Sequence, residues 1–147
     1  MNDNNNILEI KDLSVIYKTD LETVKAVNGI NIAIKRRSTF GLVGETGAGK
    51  TTTARSIIRL LPAVGHVTSG SITFDDKDIL NMPEEEMRQY RGDKIAMVFQ
   101  DPMTSLNPVM SVGDQIAETI KIHNPHLSKE EVEQRVENTL QMVGILP

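Results

Sequence analysis

Gly44-Glu45-Thr46-Gly47-Ala48-Gly49-Lys50-Thr51 satisfies the pattern G-x-x-x-x-G-K-[ST], and its flanks supply the setting that the pattern requires. Thr39 to Val43, just before it, is a compact apolar run that reads as a strand. Lys50 to Leu61, just after it, has helical spacing at Ala54, Ile57, Ile58 and Leu61 until Pro62 stops it. Glycines at these positions let the chain curl so that successive N–H groups point inward. With the positive end of the following helix, those donors form a nest suited to a β-phosphate. Lys50 is placed to reach the β- and γ-phosphates, the Thr51 hydroxyl to hold Mg²⁺, and Thr52 to meet the α-phosphate. The bland alternative is a glycine turn at a helix start with Lys50 in solvent. A chain of this length should hold on the order of 0.005 chance matches, which favours the phosphate reading.

Working outward toward the N-terminus, Leu8 and Ile10, then Leu13, Val15 and Tyr17, alternate with polar residues apart from a slip at Lys11-Asp12. This predicts a half-buried strand with a bulge. A second strand follows Asp20-Leu21-Glu22, with Ile30, Ile32 and Ile34 on one face, and the one-sided alternation suits antiparallel pairing. Toward the C-terminus, Ser69 to Phe74 reads as a strand, and Pro83 to about Arg91 as a short helix with Glu84, Glu85 and Glu86 near its positive end. Ile95 to Phe99 has no polar interruption, as expected of a strand buried on both faces. It ends at Gln100, not at a carboxylate. A neutral amide cannot be the principal Mg²⁺ carboxylate, but its oxygen can ligand the ion and its NH₂ can touch a γ-phosphate or an attacking water. Beyond Asp101 come a loop with Pro102, Asn107 and Pro108, a helix over about Val112 to Ile122, and another from Ser128. Ser128 and Glu131 have capping-box spacing, Val132, Val136, Leu140 and Val143 form a stripe, and Gly144 suits a C′ position.

Composition bounds the rest. At 147 residues the chain is about one domain. A formal charge of −4 without an evident basic face argues against a nucleic acid partner. Zero Cys excludes a disulfide framework, a thiol nucleophile and a thiolate metal site within these residues. No apolar run approaches the roughly 20 residues of a membrane span, and the polar start Met1 to Asn6 has no signal pattern, so a cytosolic chain is expected.

Three stretches together resemble the ATP-binding subunit of an ABC transporter, most of all its oligopeptide/dipeptide (peptide/nickel) importer branch. They are Gly44 to Thr52 (GETGAGKTT), Val98-Phe99-Gln100-Asp101-Pro102, and Asp101 to Pro108 (DPMTSLNP) followed by Val109-Met110-Ser111-Val112-Gly113. The resemblance implies an α/β fold: a P-loop NTPase (RecA-like) core with an antiparallel β subdomain and the start of an α-helical subdomain, incomplete. Residues 1–100 would form the nucleotide-binding core, and residues 101–147 the Q-loop and part of the helical subdomain. ATP and Mg²⁺ would be the cofactors. Tyr17, Gly44, Glu45, Thr46, Gly47, Ala48, Gly49, Lys50, Thr51 and Thr52 would bind nucleotide, with Tyr17 stacking on adenine. Thr51 and Gln100 would meet the metal, and Lys50 and Gln100 would serve catalysis. Implied partners are membrane-spanning permease subunits, docked through the Q-loop and helical subdomain, and a second ATP-binding subunit. In that docking Met103, Leu106, Met110 and Val112 would offer an adaptable apolar surface. The implied location is the cytoplasmic face of the inner membrane.

The 147 residues contain no LSGGQ-type signature, no strand ending in Asp-Glu and no later switch histidine; His66, His123 and His126 come too early, and the last two read as solvated loop residues. An N-terminal part of such a subunit is therefore expected, binding nucleotide but turning it over poorly. Two alternatives are a soluble P-loop kinase or GTPase and a non-catalytic docking fragment. Against a GTPase, no N-K-x-D motif is present; the stretch around Lys77 reads Asp75-Asp76-Lys77-Asp78.

Overall fold

Asn6–Lys18 forms β1, the strand around which the first part of the chain is arranged in a computed structural model describing residues 5–100 and 106–145. Leu8, Ile10, Leu13 and Val15 are buried, two on each side of the expected slip. The slip is a bulge: Asp12 takes a left-handed φ of 48°, and the pairing register shifts between Ile10 and Leu13. Asn31 holds it, its Oδ1 accepting from the Asp12 backbone N–H at 3.0 Å and its amide donating to the Asp12 carboxylate. Gly70 lies across from the bulge with a φ of 94°, and a Cβ there would come within 2.5 Å of the Lys11 carbonyl oxygen.

β1 pairs antiparallel with β2, Thr23–Lys35, on one side and with β3, Gly65–Phe74, on the other. The short β4, Lys77–Asp78, completes a sheet of order β2-β1-β3-β4. Arg36 and Asp75 form an ion pair where β2 and β3 end. Ile10, Leu13, Val15, Ile72, Ile79 and Met87 are almost wholly buried and make an aliphatic core. Each such side chain contributes about 1.5–3 kcal/mol of burial, so these few outweigh the exposed ion pairs, worth about 0–1 kcal/mol apiece.

Helix α1, Lys50–Ile57, is shorter than the spacing to Leu61 predicts. It ends because Arg59 adopts a φ of 53° and a Schellman closure forms, with Leu60 N–H donating to Arg55 O and Arg59 N–H to Ser56 O. Its buried residues are Thr52, Thr53 and Ser56, followed by Ile58 at the cap; Ala54, Ile57 and Leu61 are only half-buried. Helix α2, Glu84–Asp93, starts with the expected acidic turn and kinks at Arg91 and Gly92.

The chain divides into two compact units, Met1–Arg88 and Gln89–Pro147. In the second, α3, Val112–His123, and α4, Lys129–Met142, pack on each other. Ser111 caps α3 by accepting from the Asp114 N–H. Ser128 and Glu131 form the expected capping box on α4, and the Ser128 N–H bond to the Glu131 carboxylate holds that carboxyl below the ordinary glutamate range. Gly144, at a φ of 79°, closes α4 with a Schellman pair of bonds. Val132 is buried and Val136 and Leu140 half-buried, but Val143 is exposed and lies off the stripe. His123, expected in a solvated loop, ends α3 and lies against Gly92.

Two expected strands are absent. Thr39 to Val43 and Ile95 to Phe99 form no strand; the one pairing in either run is a single parallel bridge between Arg91 and Ile95. A strand exists through hydrogen bonds to a neighbour, and neither run has a ladder partner among the described residues. Phe40, Leu42, Val43, Val98 and Phe99 are consequently exposed. The mixed α/β class holds, with its antiparallel sheet formed and the parallel layer expected around the loop not formed.

Candidate functional site

The loop leading from β2 to α1 is shaped by two glycines in the left-handed region, Gly47 at a φ of 84° and Gly49 at 81°. Between them Ala48 N–H donates to Glu45 O at 3.2 Å and closes a turn. Gly49 is required twice over, because a Cβ there would stand 2.4 Å from the Ala26 carbonyl oxygen of β2. Its own carbonyl is fastened to α1 by two bonds from Thr53, one from the backbone N–H at 2.8 Å and one from the hydroxyl at 2.9 Å.

Gly49 is also the N-cap of α1, so no side chain caps this end, and its first turn contains no acidic residue. The helix therefore presents its positive end without a counter-charge of its own. Lys50 folds back over the loop, its Nζ donating to the Gly44 and Glu45 carbonyls at 2.6 Å each. Two of the three ammonium donors are thus engaged by the loop, and the charge sits across its mouth. Thr51 and residues 44–48 are exposed. Thr52 is only 8% exposed, and its hydroxyl is 3.0 Å from that of Tyr17.

The structure therefore brings together Tyr17, Lys50, Thr52 and the loop glycines within the first unit. Gln100 belongs to the second unit, exposed and at a bend. Asp101, Pro102, Met103, Thr104 and Ser105 lie outside the described residues. Leu106, Met110 and Val112 of the expected docking surface are exposed. Gln115, not singled out in the sequence, organises that segment: its side chain accepts from Asn107 N–H and donates to the carbonyls of Asn107 and Met110. No motif announces such a residue, because its partners lie one to two helical turns upstream in an irregular loop.

A triphosphate fits this cradle, which combines a loop turned by two left-handed glycines, a helix start without a side-chain cap and an ammonium that can exchange carbonyl partners for phosphate oxygens. Mg²⁺ fits as well, since it keeps several waters and takes few protein oxygens beside those of phosphate. Thr51 offers one such oxygen, and the described residues contain no cluster of three His, Cys, Asp or Glu that would form a dedicated cage.

Residues 27–147 match the family described as ABC transporter. Among curated proteins, the chain is 43% identical over 140 residues to the oligopeptide transport ATP-binding protein OppD of Bacillus subtilis (strain 168), covering 95% of this chain and 39% of that protein. It is 46% identical over 125 residues to OppD of Escherichia coli (strain K12), covering 85% and 36% respectively. Against the dipeptide transport ATP-binding protein DppD of Bacillus subtilis (strain 168), identity is 42% over 140 residues, 95% of this chain and 42% of that one. The chain thus spans about two fifths of the length of these relatives. Among solved structures, it superposes with a TM-score of 0.78 and 25% identity on a post-hydrolysis dimer of the ATP-binding cassette MJ0796 bound to ADP and Pi, covering 92% of this chain and 56% of that one. For cbiO1 from Clostridium perfringens, part of the transporter complex cbiONQ, the values are 0.69, 31%, 96% and 51%. The fold is that of an ABC ATPase cassette, present in part. The chain belongs to the ABC transporter family.

Proposed function

We propose that this chain is the nucleotide-binding part of the ATP-binding subunit of an importer for peptides or a related solute. The observation that carries the reading is the cradle itself, with a glycine N-cap, no acidic residue in the first turn of α1, and the Lys50 ammonium held over the loop. The relatives named as oligopeptide and dipeptide transport ATP-binding proteins support the solute class. In this reading Gly44, Glu45, Thr46, Gly47, Ala48 and Gly49 supply backbone donors to the phosphates. Lys50 leaves the Gly44 and Glu45 carbonyls to neutralise the β- and γ-phosphates, Thr51 ligands Mg²⁺, and Thr52 donates to the α-phosphate. Tyr17 lies beside the adenine, and Gln100 senses the γ-phosphate from the Q-loop. The bound ATP supplies a phosphoanhydride bond whose cleavage resets the transporter. The 147 residues hold no Asp-Glu strand to activate water, so hydrolysis by this stretch alone is slow.

The partners in this proposal are membrane-spanning permease subunits and a second ATP-binding subunit, with the protein peripheral on the cytoplasmic face of the inner membrane. No helix among the described residues is long and apolar enough to cross a membrane itself. Residues 1–100 act as the nucleotide core and residues 101–147 as the coupling segment. The direct test is uptake of a labelled oligopeptide by cells whose own copy of the gene encodes Lys50→Ala. Uptake falls to background if the reading is right, and unchanged uptake would contradict it.

A further inference from the structure

Tyr17 sits near the end of β1, directly opposite Gly65 of β3. Its ring occupies the space a side chain at Gly65 would fill, since a Cβ there would stand 2.9 Å from Tyr17 Cε1 and 3.2 Å from the Leu61 Cβ. Gly65 has no left-handed φ, so crowding rather than backbone conformation favours glycine there, from the Tyr17 ring first and then from Leu61 Cβ and the Pro62 carbonyl oxygen, both at 3.2 Å. Held there, the Tyr17 hydroxyl reaches Thr52 on α1 at 3.0 Å, and either oxygen can be the donor. Two other hydroxyls on α1 bond back to backbone carbonyls instead, Thr53 to Gly49 and Ser56 to Thr52. Thr52 is thus directed away from its own helix and toward the sheet.

We infer that the Tyr17 hydroxyl is a positioning group for the phosphates, acting through Thr52, in addition to whatever its ring does for the base. The chemistry follows from counting donors. A hydroxyl has one proton and two lone pairs, and a phosphate oxygen only accepts. Thr52 has a single proton, so once it donates that proton to an anion the 3.0 Å bond between the two hydroxyls can only run from Tyr17 as donor to Thr52 as acceptor. An anion next to Thr52 therefore fixes the direction of a pair that is otherwise reversible, and the aligned pair is strengthened by mutual polarisation. Gly65 is part of the same device, because its missing side chain sets the position of the ring.

The inference rests on the phosphate reading of the loop, and the test separates the two. The 147-residue chain is titrated calorimetrically with Mg²⁺-ATP and with inorganic tripolyphosphate, which has no base to stack. Wild type, Tyr17→Phe, Thr52→Val and the double variant are compared, with Gly65→Ala as a second route to moving the ring. Tyr17→Phe keeps the ring and removes only the hydroxyl. It should weaken both ligands by the same factor, about 2- to 10-fold, and should have no effect in the Thr52→Val background. Gly65→Ala should weaken tripolyphosphate in the Thr52 background alone. Unchanged tripolyphosphate binding in Tyr17→Phe, or an equal loss in both backgrounds, overturns the inference while leaving the phosphate reading standing. Wild-type chain that binds neither ligand overturns both.

Discussion

Gly47 and Gly49 share nearly the same left-handed φ, 84° and 81°, yet they are not equivalent. A methyl group at Gly47 meets nothing within 4 Å, whereas one at Gly49 runs into the Ala26 carbonyl oxygen at 2.4 Å. Both substitutions to Ala carry the conformational cost of a left-handed residue, roughly 1–2 kcal/mol. Gly49→Ala adds a backbone collision that must be relieved by shifting β2 or the start of α1. Urea unfolding should therefore show Gly49→Ala to be the more destabilising of the two by at least about 1 kcal/mol. Equal losses would mean that the loop does not lie against β2 as described. The need for glycine at Gly49 is legible in the motif, whereas Gly47 occupies one of its unspecified positions, and the reason for Gly49 is not legible either. Ala26 is far upstream in sequence and becomes its neighbour only through the fold.

At the level of elements, legibility followed the range of the interactions. The bulge at Asp12 can be read from the slipped alternation, and the capping box of α4 from Ser128 and Glu131, because each is written within a few residues. The C-terminal end of α1 and the fate of Thr39 to Val43 and Ile95 to Phe99 cannot be read that way. Their apolar sequences state a preference for burial, while strand formation depends on a partner elsewhere in the chain. The Tyr17–Thr52 pair was hidden for the same reason: it joins residues on a strand and a helix that neither periodicity nor motif connects. Hydrogen exchange by mass spectrometry gives this contrast a direct readout. Backbone amides of residues 8–17, paired on both sides in β1, should exchange slowly. Those of residues 39–43 and 96–99 should exchange near the rate of unstructured peptide. Protection of the two apolar runs comparable to β1 would show that they are paired after all.

For the whole molecule, an antiparallel sheet, a glycine loop at the start of α1 and a second, helical unit make up part of an ABC ATPase cassette. The sheet and the loop of residues 44–49 belong to the same unit, Met1–Arg88. What the second unit adds is Gln100 and the segment that Gln115 holds in place. The central claim is that residues 44–52 bind the triphosphate of ATP, and calorimetric titration of Mg²⁺-ATP into the wild-type chain and its Lys50→Ala variant tests it most directly. Loss of charge-assisted bonds from the ammonium should weaken binding by about 10- to 100-fold while leaving the thermal unfolding transition in place. Equal affinity of the two proteins for ATP, or no binding by the wild type, would contradict the account.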